Sequence, residues 1–243
     1  MDDLRLITIP ISHYCEKARW ALELADTPYR EERHLQGIHW AHVWRAGRGW
    51  TAPVLVTPKG PLRESAQIVR FADARAHLGL YRNPLAAALE ARFDAHLGPD
   101  ARSWMYHRML ERPDLMEEYG APGVPRWERA GLPMMLPLMS KLIARRADAD
   151  DEHAAVARDN VRSAFDEVAA RLSDGRPYLC GDAFSAADLA FAALSAAVLV
   201  PERYGIELPP LDELPGVYRD EVLAMREHPA GRFALRLYDQ ERP

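Results

Sequence analysis

Cysteine, lysine and long apolar runs are what this 243-residue chain has little of, and each shortage excludes something. Two cysteines, Cys15 and Cys180, cannot build a disulfide scaffold, so a reducing compartment, the cytoplasm, is the expected setting. No apolar run reaches the ~18–20 residues a membrane-spanning helix needs. The longest candidate, 189–200, contains Ser195 and ends at Pro201, so an integral membrane protein is not expected. The opening Met1-Asp2-Asp3-Leu4-Arg5 is acidic where a secretory signal would be basic. Lysine occurs only at positions 17, 59 and 141 among 31 basic residues. With the many alanines, that reads as coding bias rather than chemistry. A net charge of -5 and a sequence pI near 6.0 argue against a nucleic-acid partner.

What is present reads as an ordinary folded chain, with 48% hydrophobic and 28% charged residues, long enough for one large domain or two modest ones. The texture changes near Pro84. Before it, short β-like and helix-like stretches alternate. Leu4–Ile9 is a first strand ended by Pro10, and the segment from Cys15 is helical, with Ala18, Leu22 and Ala25 on one face. Tyr29–Leu35 is a weaker, charged strand. Residues 53–57 and 61–63 are two strands around Pro58-Lys59-Gly60, and Ser65 stands at the N-cap position of a helix carrying Ile68 and Phe71. The predicted order is β-α-β, a loop or short helix, then β-β-α. After Pro84 the stripes are helical throughout. Leu85, Leu89, Phe93 and Leu97 recur every four residues until Gly98-Pro99 interrupts or kinks them. Ala157, Val161, Ala164, Phe165, Val168 and Leu172 form the clearest stripe in the chain. The expected architecture is α/β over residues 1–80, then all-helical over 85–243.

One segment joins strand to helix with chemistry in it: Ser12-His13-Tyr14-Cys15. A helix N-terminus carries unpaired N–H groups and a partial positive charge, which favour an anion. A thiolate there is stabilised below the ordinary thiol pKa of ~8.5. A hydroxyl there can donate a hydrogen bond to the sulfur of a bound thiol. Ser12 and Cys15 are therefore both candidates, although a serine ahead of a helix is most often only its cap.

These residues, taken with others further along, resemble the glutathione transferase family. Ser12-x-x-Cys15, with Lys17 and Arg19 downstream, is similar to the Cys-x-x-Cys site of thioredoxin-like proteins, with serine in the first position. Ala52-Pro53-Val54-Leu55 resembles the segment before that fold's third strand, whose proline is cis. Glu64-Ser65 is similar to the acidic-Ser pair that holds the γ-glutamyl group of glutathione. Tyr178 to Asp188 resembles the helical-domain signature, with Ser185 and Asp188 at N-cap and N3 spacing. That box reads as structural, as does Cys180.

The resemblance implies a thioredoxin-like α/β domain followed by an all-α domain, a homodimer, and attack of the glutathione thiolate on a small, largely apolar electrophile. It implies that Ser12 donates to the thiolate, and that Tyr14, Ala52, Pro53, Glu64 and Ser65 border glutathione. His39, with Trp40, is placed near its glycine carboxylate by position alone. The acceptor pocket is expected from His13, Trp104, Tyr106, His107, Met109 and Leu110, closed by the Met-rich segment 134–139. Methionines and aromatics at such spacing are more often core. His34, His39 and His42 show no partner pattern for a metal, and none is expected. Two other readings stay open: a thiol oxidoreductase or reductive lyase working through Cys15, and a non-catalytic binding module. The role, detoxification or a dedicated biosynthetic step, is not encoded in any motif.

Overall fold

The computed structural model describes residues 3–131 and 151–243; the Met-rich segment 134–139 lies outside them. The N-terminal part runs β1 (Arg5–Thr8), α1 (His13–Leu24), β2 (Arg30–Arg33), α2 (His39–Gly47), β3 (Val54–Thr57), β4 (Gly60–Leu62) and α3 (Ser65–Ala76). Then come α4 (Pro84–Arg92), a π-helical turn (Phe93–Leu97), α5 (Gly98–Met109) and α6 (Pro113–Tyr119). Beyond 150 lie α7 (Asp151–Leu172), α8 (Ala186–Leu199), α9 (Gly216–Glu227) and α10 (Pro229–Gln240). The sheet order is β2-β1-β3-β4, with β1 parallel to β2 and antiparallel to β3, and β3 antiparallel to β4. A mixed α/β unit followed by helices alone is the expected architecture. No described helix is long and apolar enough to cross a membrane.

Two local expectations are corrected, the cap of α3 and the place of Leu85, and a third takes a specific form. Ser65 is not the N-cap of α3; Glu64 is, and it shares a reciprocal capping box with Gln67. Ser65 is the first helical residue and is buried. The four-residue stripe past Pro84 is interrupted at Gly98-Pro99 by a π-turn: α4 ends at Arg92, the Gly98 N–H reaches back five residues to the Phe93 carbonyl, and α5 begins with the proline in its first turn. Leu85, the first residue of that stripe, is exposed, and Ala86 is buried in its place.

One core cluster joins the two parts, from Leu6, Trp20 and Leu55 to Phe93, Phe165 and Phe191. At its centre is α8, buried along nearly its whole length. Its start is held by Asp188, fully buried, which accepts from the Leu179 N–H (2.7 Å), the Ser185 N–H (2.9 Å) and the Ser185 hydroxyl (2.5 Å). Asp188→Ala strands these donors in the core. A lost cap costs about 1 kcal/mol and a stranded buried donor about 1–3 kcal/mol, so a loss of roughly 2–4 kcal/mol is expected by urea denaturation. A change below about 0.5 kcal/mol, the size of an ordinary surface substitution, would contradict this account.

Candidate functional site

The site begins where β1 gives way to α1. The Ser12 N–H donates to the Ile9 carbonyl (3.1 Å), closing the turn after Pro10, and Ser12 keeps an extended backbone as the N-cap. Its Oγ accepts from the Cys15 N–H at 3.4 Å. The hydroxyl hydrogen-bonds the Cys15 side chain and borders an open cleft. Cys15 lies three residues on, and its side chain is fully buried on the apolar face with Ala18 and Leu22. Burial pushes its thiol up, outweighing the nearby Arg19 guanidinium and the Ser12 hydrogen bond. A reactive cysteine needs the opposite environment, exposed and electropositive.

Tyr14 borders the same cleft, but its hydroxyl is committed. The π-turn takes the Gly98 N–H to Phe93, and Pro99 has no N–H, so the Asp94 carbonyl lacks a helical donor. The Tyr14 hydroxyl supplies one at 2.7 Å. Burial also pushes this phenol up, away from ionisation. Gly98 matters here: a Cβ on it would lie 2.2 Å from the Tyr14 hydroxyl oxygen.

His13, 4% exposed, is held neutral. Burial first, and the Arg102 guanidinium second, lower its pKa to about 3. Its buried Nε2 has no hydrogen-bond partner among the described residues. His13 stands at the junction of two spaces: the Ser12 cleft and a small apolar cavity of about 40 Å³ bordered by Ile11, Met105, Met109, Tyr204 and Tyr218.

The Ser12 cleft, about 320 Å³, is bordered further by Gln36, His39, Trp40, Trp50, Ala52, Arg102 and Tyr106. A second cleft, about 540 Å³, runs from Ala52 and Pro53 to Arg63, Glu64, Ser65 and Arg70. Tyr14, Thr51, Ala52 and Arg102 border both, so the two form one groove. Each lies within the roughly 300–1,000 Å³ common for small-molecule sites. The Ala52–Pro53 peptide, at the middle of the groove, is cis. At one end lies the N-terminus of α3, its Ser65 and Ala66 bordering the cleft with Glu64 exposed beside them. At the other, His39 is buried, its Nδ1 accepting from the Gly37 N–H (3.0 Å), and Gln36 accepts from the Tyr106 hydroxyl (2.7 Å).

Of the expected acceptor residues, His13 and Met109 border the apolar cavity and Tyr106 the Ser12 cleft. Trp104 and His107 border neither. Trp104 is buried, its indole N–H donating to Glu221 at 2.8 Å, and His107 stands 3.7 Å from Asp151. Helical angle explains the split. At about 100° per residue, Arg102, Met105, Tyr106 and Met109 share one face of α5, while positions 104 and 107 point roughly 140–200° away. Arg102 itself was not expected. Its guanidinium borders both clefts, and its buried Nε has no partner among the described residues. The signal was available in its spacing from Met105, Tyr106 and Met109.

Comparison with known proteins agrees. Residues 6–79 match the model of the glutathione S-transferase N-terminal domain, and residues 142–219 match that of the C-terminal domain. A search of curated proteins found no match. Among solved structures, a theta class glutathione S-transferase from Xanthomonas axonopodis pv. citri with glutathione bound is similar: TM-score 0.55, 20% identity, 97% of this chain and 98% of that one covered. A glutathione S-transferase from Ceriporiopsis subvermispora in complex with glutathione has a TM-score of 0.56 at 17% identity, covering 99% and 98%. A glutathione S-transferase from Xanthobacter autotrophicus Py2 has a TM-score of 0.56 at 18% identity, covering 98% and 93%. At these identities the structures speak for the fold. The two domain models together span more than half of the residues, in the order the chain carries them, and the chain belongs to the glutathione S-transferase family.

Proposed function

We propose that this protein is a glutathione transferase in which Ser12 stabilises the bound thiolate and the acceptor is a small, largely apolar electrophile. The observation that carries this is the single groove joining the Ser12 hydroxyl to the N-terminus of α3. Glutathione is a tripeptide with two carboxylates, one ammonium and a central thiol. Its γ-glutamyl end suits the α3 end, where free N–H groups and the helix dipole favour the carboxylate and exposed Glu64 favours the ammonium. Ser65, at the first position of α3, belongs to the same anchor. Ala52 and Pro53 border the cysteinyl part, which brings the sulfur toward Ser12. The Ser12 O–H then donates to the thiolate, and α1 adds its dipole. Arg102, between the two halves of the groove, adds fixed positive charge. Gln36 and His39 border the glycine end.

In the reaction the thiolate attacks the electrophilic carbon, a C–S bond forms, and the leaving group departs with the bonding pair. The protein's part is to keep the sulfur ionised and to hold the acceptor beside it. The apolar cavity beyond His13 suits an apolar acceptor. Neutral His13 offers that acceptor one polar contact. The same reading carries a homodimer in the cytoplasm, supported by the family alone.

The test is glutathione titration calorimetry together with conjugation of an activated aryl halide, in wild type and Cys15→Ala. Both proteins are expected to bind and to conjugate alike, with no glutathione adduct on Cys15 by mass spectrometry. Failure of the wild type to bind glutathione would overturn the reading. Loss of activity in Cys15→Ala with a trapped Cys15 adduct would replace it with the oxidoreductase reading.

A further inference from the structure

Away from the groove, the fold assembles a cluster that histidine spacing alone does not announce. His34 follows β2 and is 5% exposed; His42 lies on α2 and is half-buried. Glu128, from the helical residues 126–131 and 1% exposed, is brought to them from 94 positions along the chain. One Glu128 oxygen is 2.7 Å from His34 Nδ1, and the other accepts from the Leu35 N–H at 2.9 Å. One potential ligand atom from each of the three residues lies within 4.8 Å of the others.

A buried carboxylate docked on a histidine is explicable as structure. Two further features are not. The His34 Nε2 is buried and has no partner among the described residues, whereas buried polar atoms are nearly always satisfied. A second imidazole, His42, is stacked on the first, ring centroids 3.5 Å apart and planes 20° from parallel. An acceptor-only carboxylate on Nδ1 requires a proton there, so in the neutral ring Nε2 is the nitrogen that carries the lone pair. A carboxylate holding the far side of an imidazole is the usual support of a metal-ligating histidine.

We propose that His34, through Nε2, and His42 form a site for a divalent transition-metal ion of the zinc type, with Glu128 supporting His34 from the far side of its ring. Imidazole nitrogens are donors such ions prefer, and water completes the shell. Lone pairs lie in the ring planes, so stacked rings do not yet converge on one point. His42, the least buried of the three, turns about its side-chain torsions to share the ion, while His34 and Glu128 stay in place. The bound ion ties the end of β2 to α2, with Glu128 behind His34. Gln36 and His39, between His34 and His42 in the chain, border the groove, so the ion stiffens one wall of it.

The test is made on the full chain without glutathione, whose thiol binds the same ions. After equilibrium dialysis against buffered Zn2+, metal content is measured, and Co2+ is titrated by its visible ligand-field absorption. One ion per wild-type chain is expected. His42→Ala, a substitution of a half-exposed side chain that leaves the fold intact, and Glu128→Gln are each expected to weaken binding by roughly tenfold or more, as lost ligands or their supporting partners do. No retained ion in the wild type would overturn the proposal. So would equal binding by His42→Ala, which would mean adventitious histidines elsewhere.

Discussion

Ser12→Ala is expected to lower the rate of glutathione conjugation by roughly 10- to 150-fold while leaving glutathione affinity within a few-fold. The magnitude follows from what is removed. A hydrogen bond to a charged group contributes about 1.5–3 kcal/mol, and each 1.36 kcal/mol is a factor of ten in rate. On the protein side the Ser12 hydroxyl meets only the neutral Cys15 thiol, a weak acceptor, so it can turn to a thiolate in the cleft it borders. Most binding groups lie elsewhere along the groove, which is why affinity is spared. A second readout separates this role from capping. Losing the N-cap of α1 costs about 1 kcal/mol of stability and leaves the thiol's ionisation alone. Losing a donor to the thiolate raises the thiol pKa in the complex, so the variant's activity recovers at alkaline pH. Ser12→Thr, which keeps the hydroxyl, is expected to restore most of the rate. A pH profile unchanged in Ser12→Ala would leave Ser12 as a cap only.

How much of this was readable beforehand depends on the range of each interaction. The β-α-β, then β-β-α order was legible because alternation, Pro10 and the 58–60 turn are local signals; three strands fall within the segments expected, and β4 starts one residue early, at Gly60. Ser12 was legible because a strand-to-helix junction marks its own N-cap. α2 was visible only as a loop or short helix: its N-cap, Ile38, makes no side-chain hydrogen bond. Glu64 took the cap from Ser65 because Gln67 completes a box with it, and a glutamate at that position is not the usual capping residue. Gly98-Pro99 looked like a break because proline removes a helical donor. Its remedy, a π-turn whose stranded carbonyl is taken by Tyr14, joins positions 80 residues apart. Arg102 was missed for a simpler reason. Residue type favours Trp104 as a pocket residue, whereas the helical angle of α5 puts Arg102 with Met105, Tyr106 and Met109. The Glu128 partner of His34 could not be seen, since nothing local in 34–42 points to residue 128.

The same long-range rule governs the largest expected loss of stability, which is Lys17→Met at about 3–5 kcal/mol. Lys17 lies on α1 and its side chain is 0% exposed, a place lysine rarely occupies unless paired. Its ammonium donates to both Asp94 oxygens (2.8 and 2.7 Å) and forms an ion pair with Glu90 Oε1 at 2.9 Å. Glu90 is itself 1% exposed, and its other oxygen accepts from the Tyr81 hydroxyl at 2.7 Å. Removing the cation leaves two carboxylates facing each other, one of them buried, with only the distant Arg70 guanidinium, 4.0 Å from the other Glu90 oxygen, as counter-charge. That is the costly way to break a buried pair; replacing both partners is cheap. Lys17→Met/Glu90→Gln is therefore expected to recover much of the loss, a coupling that a double-mutant cycle in urea measures directly. Against a total stability of roughly 5–15 kcal/mol, the single variant is marginal at best. Because Asp94 carries both the Lys17 contact and the carbonyl that holds Tyr14, the groove floor is expected to loosen with it. Glutathione affinity should fall in the single variant and return in the double. A Lys17→Met protein as stable as wild type would mean that the cluster's attraction never exceeded its desolvation.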